Sequence, residues 1–113
     1  MKYYYEMTKT EKLGYNSRVV AHWIKNCSGD IMLPCIKFKR KSRDGWHNEF
    51  RWCVWDCNNE WSPIDPFVVC TELGIENCDA YRFARTLRDS GYDAREINGG
   101  IIIIAPDKRS EDQ

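Results

Sequence analysis

Three groups of side chains in this sequence have the types and spacing to do chemistry. The first is a set of thiols. Of the six cysteines, Cys27, Cys35, Cys53 and Cys57, together with His47, offer the sulfur and imidazole ligands that zinc takes in tetrahedral sites. Their spacing argues against such a site, since no C-x2-C knuckle is present. On a strand, Cys53 and Cys57 would share a face but stand about 13 Å apart. A nucleophilic pair from His47 and Cys53 fails in the same way, at about 20 Å along one strand. The second group is a run of arginines, Arg82, Arg85 and Arg88, with Asn77 and Tyr81 just ahead of them. The third is "CIKFKRK", with Lys37, Lys39, Arg40 and Lys41, which leads into "WHNEFRWCVWDCNNEW", the home of four of the five tryptophans. Cations beside aromatic rings are what single-strand nucleic-acid binders use.

The bulk properties narrow the choice. A chain of 113 residues has room for one domain and no deep catalytic cleft. Lys plus Arg and Asp plus Glu number 17 each, so the molecule as a whole has no field that attracts nucleic acid, and any such contact must come from a local patch. No Gly-rich phosphate loop, paired-carboxylate motif or G-x-S-x-G is present, and there are only two histidines. The expectation is a protein without catalytic activity, metal or other cofactor. No apolar run approaches the roughly 18 residues of a membrane span. "MKYYYEM" lacks the pattern of a secretory signal, which implies a cytoplasmic protein with reduced thiols.

The elements that must position these groups can be read from periodicity. Tyr3, Tyr4 and Tyr5 suggest a short strand. "SRVVAHWIKN" suggests a helix over 17–26, capped by Ser17, with Val20, Trp23 and Ile24 inward, and the β-branched pair Val19-Val20 leaves a strand as the alternative. "CIKFKRK" alternates, with Ile36, Phe38 and Arg40 on one face and the three lysines on the other. "SRDG" at 42–45 has the chemistry of a turn. The return strand 46–57 places Trp46, Phe50, Trp52 and Val54 on one face and His47, Glu49, Arg51, Cys53, Trp55 and Cys57 on the other. Its end carries tryptophan on both faces and is expected to be buried on both. Asp65-Pro66 starts a helix that breaks at Gly74. A second helix is expected from about Asn77 to Ser90, with Ala80, Phe83, Ala84 and Leu87 inward and Gly91 closing it. Asn98-Gly99, between "DAREI" and "IIII", is a strong hairpin signal. Residues 107–113 read as a frayed tail.

The stretch "PFVVCTELGIENCDAYRFARTLRDSGY" resembles a helix-turn-helix. Cys70 stands at the small buried place three residues before Leu73, and Leu73-Gly74-Ile75 matches the "LGI" of the turn. "SGY" and the hairpin at 93–104 then match the sequel of a winged helix, whose wing tip would be Asn98 to Gly100. The resemblance to the winged helix-turn-helix superfamily covers residues 66–104, about 40 of the 113. It implies that the outer face of the second helix, with Asn77, Tyr81, Arg82, Arg85 and Arg88, enters the major groove of duplex DNA. The wing in this match is acidic, with Asp93 and Glu96 against Arg95 alone.

The fold expected is thus α+β, a single domain over 1–113. An N-terminal helix and antiparallel β-hairpin (1–61, rich in Trp and Cys) pack with a C-terminal winged-helix-like unit (62–106). For the tryptophan-rich stretch, zinc ligation, base stacking and core packing compete. Core is favoured, because a short chain needs large apolar side chains inside. The function expected is nucleic-acid binding by a small regulator or accessory protein, with Lys37, Lys39, Arg40 and Lys41 as a second phosphate-contacting patch. The size and composition fit an accessory gene of a phage or plasmid, and a homodimer is compatible with the sequence. The alternative is an inhibitor or adaptor that presents the same faces to a protein.

Overall fold

A threonine three residues ahead of a glutamate opens the first helix. Thr8 Oγ1 accepts a hydrogen bond from the Glu11 amide, and Glu11 Oε1 accepts one from the Thr8 amide, each at 3.2 Å. This reciprocal capping satisfies two of the amides that a helix start leaves without partners. The computed structural model describes residues 2–26 and 29–105. In it, α1 spans Lys9–Asn26, eight residues longer at its start than periodicity suggested. Ser17 is therefore no cap. It is buried in mid-helix, where its hydroxyl donates to the Leu13 carbonyl and accepts from the Asp65 amide at 2.7 Å. The three tyrosines are not a strand either, since Tyr4–Glu6 form a single 3-10 turn. Val20 and Ile24 point inward as expected, but Ala21 takes the third inward place and Trp23 stays on the exposed side.

Five strands follow the pattern α1-β1-β2-β3-α2-α3-β4-β5: β1 Ile31–Ser42, β2 Gly45–Trp55, β3 Trp61–Pro63, β4 Asp93–Ile97 and β5 Gly100–Ile104. They form one antiparallel sheet in the order β3-β2-β1-β5-β4. The fold is α+β, and strands from both halves of the chain share this sheet. Two close turns set its registers, Ser42 opposite Gly45 and Ile97 opposite Gly100, both where the turn residues indicated. Gly100 has a further reason to be glycine. A Cβ there would stand 2.7 Å from the Leu33 carbonyl oxygen and the Pro34 Cα, so β5 can lie this close to β1 only without one.

The helices α2 (Pro66–Glu72) and α3 (Phe83–Asp89) lie between β3 and β4. Asp65 caps α2 by accepting from the Phe67 amide at 2.9 Å, and Gly74 beyond it has φ +75°. Both features match expectation. The second helix does not begin at Asn77. The Asp79 carboxylate accepts from the Tyr81 and Arg82 amides at 3.0 and 3.2 Å, holding a turn that delays the helix to Phe83. Such short side-chain bonds compete with helix propagation. Ten residues, 73–82, therefore separate the two helices, in place of a tight corner. The hairpin β4–β5 is not a free two-stranded wing, because β5 lies inside the sheet between β1 and β4.

The core joins Leu33, Ile101, Ile103 and Ala94 of the sheet to Val20, Ala21 and Ile24 of α1, Val69 and Cys70 of α2, and Phe83, Ala84 and Leu87 of α3. Full burial of each large apolar side chain contributes about 1.5–3 kcal/mol. Burial pushes the Cys53 thiol up to about 11 and the Cys70 thiol up to about 12, so both are neutral packing groups at physiological pH. No helix among the described residues is long and apolar enough to cross a membrane. Cys27 and the tail at 107–113 lie outside the described residues.

Candidate nucleic-acid interface

Where the sheet's other strands stop, β1 and β2 continue. Pairing of β1 with β5 ends at Pro34 and Gly100, and β3 meets β2 only over Cys53–Trp55. Residues 36–42 and 45–51 thus pair with each other alone. They make a two-stranded arm roughly 23 Å long by strand rise. The turn at 42–45 fixes which residues face each other. Lys37 is opposite Phe50, Lys39 opposite Asn48, and Lys41 opposite Trp46, and cross-strand partners share a face. The arm therefore presents three lysines in one row, flanked by two aromatic rings in the next.

These rings are not core. Trp46 is 67 % exposed and Phe50 66 %, because no strand or helix among the described residues covers this face of the arm. Trp55 and Trp61 are also exposed, ring against ring at 5.0 Å. Of the tryptophans between 46 and 61, only Trp52 packs on the core, its ring 6.3 Å from that of Phe83. The core reading of the whole stretch is corrected accordingly. Burial on both faces does hold at Cys53 and Val54, the end of β2 where neighbours exist. The sequence carried only half of this signal. Once the turn is fixed, K-x-K-x-K shares a face with F-x-N-x-W, but the same face runs on to core-packed Trp52, so where it leaves the core is set by the neighbouring strands.

The arm holds six basic residues against Asp44 and Glu49, a local excess of four positive charges in a chain that is neutral overall. Lys37, Lys39 and Arg40 have no ion-pair partner among the described residues. Lys41 has no carboxylate partner either, and its Nζ lies 5.9 Å from the centre of the Trp46 ring. Arg40 faces away, opposite His47 on the other side of the arm.

The residues from the helical region are placed less uniformly. Arg85 lies 3.9 Å from Asp89. Arg88 donates to the Ala94 carbonyl at 2.9 Å and pairs with Glu96 at 3.6 Å, which ties α3 to β4. Asn77 lies in the 73–82 loop rather than on a helix, lining a depression together with Thr86 and Asp89 of α3. Arg82 is exposed at the N-terminal boundary of α3. Tyr81 is 96 % exposed, with its backbone held by Asp79. One of these residues meets the arm. The Trp52 indole donates from Nε1 to the Ala80 carbonyl at 3.2 Å, which brings Tyr81 to the arm's root. There a cleft of about 330 Å³ opens between Cys35, Trp52, Tyr81, Glu96 and Gly99. Cys35 and Trp52 are register partners on the face that carries the lysines, so cleft and lysine row are continuous.

A second cleft, about 460 Å³, lies between the start of α1 and the arm's opposite face, beside Phe38 and Trp61. Two of its cations are already engaged. Lys12 sits 5.1 Å from the Tyr4 ring and Arg51 lies 3.4 Å from Glu49. Cys53 is buried in the sheet and Cys57 is exposed in the β2–β3 turn, so these two thiols do not converge. Among the described residues no three His, Cys, Asp or Glu side chains form a group able to hold a metal ion. No family model, no curated protein and no solved structure matches the chain.

Proposed function

We propose that this protein binds nucleic acid, and that the lysine face of the β1–β2 arm is its principal contact surface. The observation that carries the reading is the row of Lys37, Lys39 and Lys41 on an extended ribbon, without carboxylate partners among the described residues and bordered by exposed rings. Phosphate contacts supply most of the affinity of such proteins, and cations free of internal ion pairs can make them without first breaking a bond. Tyr81 extends the surface at the arm's root. The outer face of α3, favoured by the winged-helix resemblance, becomes a secondary contact in this reading. Its Arg85 and Arg88 have partners of their own, and residues 66–104 carry six acidic side chains against four basic ones. A small regulator or accessory protein that acts on nucleic acid without catalysis remains the role that suits this surface.

The test is a binding titration of the wild-type chain against single-stranded and duplex DNA at low and physiological salt. The expected result is affinity for at least one of them that falls steeply with salt, with a logarithmic slope of roughly −0.7 to −0.9 per phosphate neutralised. No salt-dependent binding to either would refute the reading and favour a protein partner for the arm.

A further inference from the structure

We infer, building on that reading, that the arm's occupant is a single strand whose unpaired bases stack on Phe50 and Trp46, with one base entering the cleft between Trp52 and Tyr81. A duplex would leave the arm's exposed rings unused. Paired bases keep their faces inside the helix and offer grooves and phosphates outside. Rings exposed on the binding surface then have nothing flat to meet. A single strand presents a base face at every nucleotide, and stacking on protein aromatics accepts any base. Phe50 and Trp46 lie four residues apart on one face of β2, about 13 Å along the strand. The lysines opposite repeat about every 6.7 Å, twice the 3.4 Å axial spacing of phosphates along one strand of B-DNA. That wider repeat suits a backbone drawn out until its bases separate.

The cleft at the root gives this track an end. Its volume of about 330 Å³ is at the lower bound of ordinary small-ligand sites, roughly 300–1,000 Å³. Its walls are prepared for a flat ring. The Trp52 indole is fixed by its hydrogen bond to the Ala80 carbonyl, and the backbone around Tyr81 is held by two N–H hydrogen bonds to the Asp79 carboxylate, one donated by Tyr81 and one by Arg82. Tyr81 is thus a nearly bare aromatic ring on a pinned loop. It is exposed although the loop that carries it is ordered by specific bonds. A single strand leaving Phe50 along the lysine face passes Cys35 and reaches this ring next.

The experiment compares a fluorescein-labelled single-stranded oligonucleotide of roughly 12 nucleotides, within the usual site size of one small binding domain, with a duplex of the same sequence. The inference expects the single strand to bind about tenfold or more tightly. It expects Phe50→Ala, Trp46→Ala and Tyr81→Ala each to weaken single-strand binding by roughly five- to a hundredfold. Duplex affinity and the melting temperature should not change, and Phe50→Tyr should restore binding. Equal affinity for the two probes, with no effect of the aromatic variants, would overturn the inference. If a Lys37/Lys39/Lys41→Ala variant then still loses binding, the arm stands as the contact surface and enters a groove as a ribbon. Absence of salt-dependent binding to both probes would overturn the inference and the reading beneath it together.

Discussion

The arm and the α2–α3–β4–β5 unit both carry basic side chains that the sequence marks as candidates, and the structure treats the two sets differently. On the arm, three lysines stand in a row with no carboxylate partner among the described residues. On α3, Arg85 and Arg88 turn toward Asp89 and Glu96, and Arg88 also closes a bond to the Ala94 carbonyl. The number of cations in a segment is thus a poor guide to how many are available. Their availability depends on what the fold brings beside them. The same contrast holds for aromatic residues. Phe83 is wholly buried in the unit, whereas Phe50 is two-thirds exposed on the arm.

The sharpest form of this comparison uses one substitution in two places. Phe83→Ala should cost about 3–5 kcal/mol of stability, as a buried aromatic replaced by a cavity does. Phe50→Ala should stay within about 0.5 kcal/mol. Chemical denaturation of both variants reads the difference directly. Similar losses would mean that the arm is covered in solution and the comparison fails.

The next effect concerns how the arm's base is anchored. Asp56 ends β2 and accepts bonds from the Tyr4 and Ser62 hydroxyls and from the Asn58 and Glu60 amides. Burial alone would raise its pKa, but these bonds to the ionised form outweigh it and hold the carboxyl below its usual value. A depressed pKa contributes stability that is present above the unfolded value, near 4, and is lost as pH falls through the folded value. Asp56→Ala should therefore destabilise the protein by about 1–3 kcal/mol at neutral pH. The difference from wild type should narrow in thermal melts below about pH 4. A gap that is constant with pH would show that the carboxylate is not what matters.

The smallest effect tests whether α3 is tied down. Arg88→Ala should cost about 0.5–1.5 kcal/mol, through the lost bond to Ala94, and leave nucleic-acid affinity nearly unchanged. Weaker binding at undiminished stability would return the contact surface to α3.

Much of the fold was legible where the signal is local. The turns at 42–45 and 98–99, the Asp65-Pro66 cap and the positive φ of Gly74 follow from residue types within a few positions. The start of α1 was equally local, because Thr8 and Glu11 form the S/T-x-x-E pattern, but the apolar stripe beginning at Val20 drew the boundary inward. The delayed start of α3 rests on Asp79, whose position three residues before Arg82 offers the chain a turn as readily as a helix. The candidate site was legible only in halves. Each strand's alternation was readable, and so were the lysines, but the exposure of Trp46 and Phe50 depends on where β3 and β5 end. No residue in the arm encodes that. The Tyr81 contribution depends on the Trp52–Ala80 bond across 28 positions and could not be read from spacing.

The central claim is that the available positive charge is concentrated on the arm rather than on α3. The most direct measurement is the salt dependence of DNA binding for three proteins: wild type, Lys37/Lys39/Lys41→Ala and Arg82/Arg85→Ala. The account predicts that the arm variant flattens the logarithmic salt slope by about 2–3, and that the helix variant flattens it by less than about 1. A flattened slope for the helix variant beside an unchanged slope for the arm variant would contradict it.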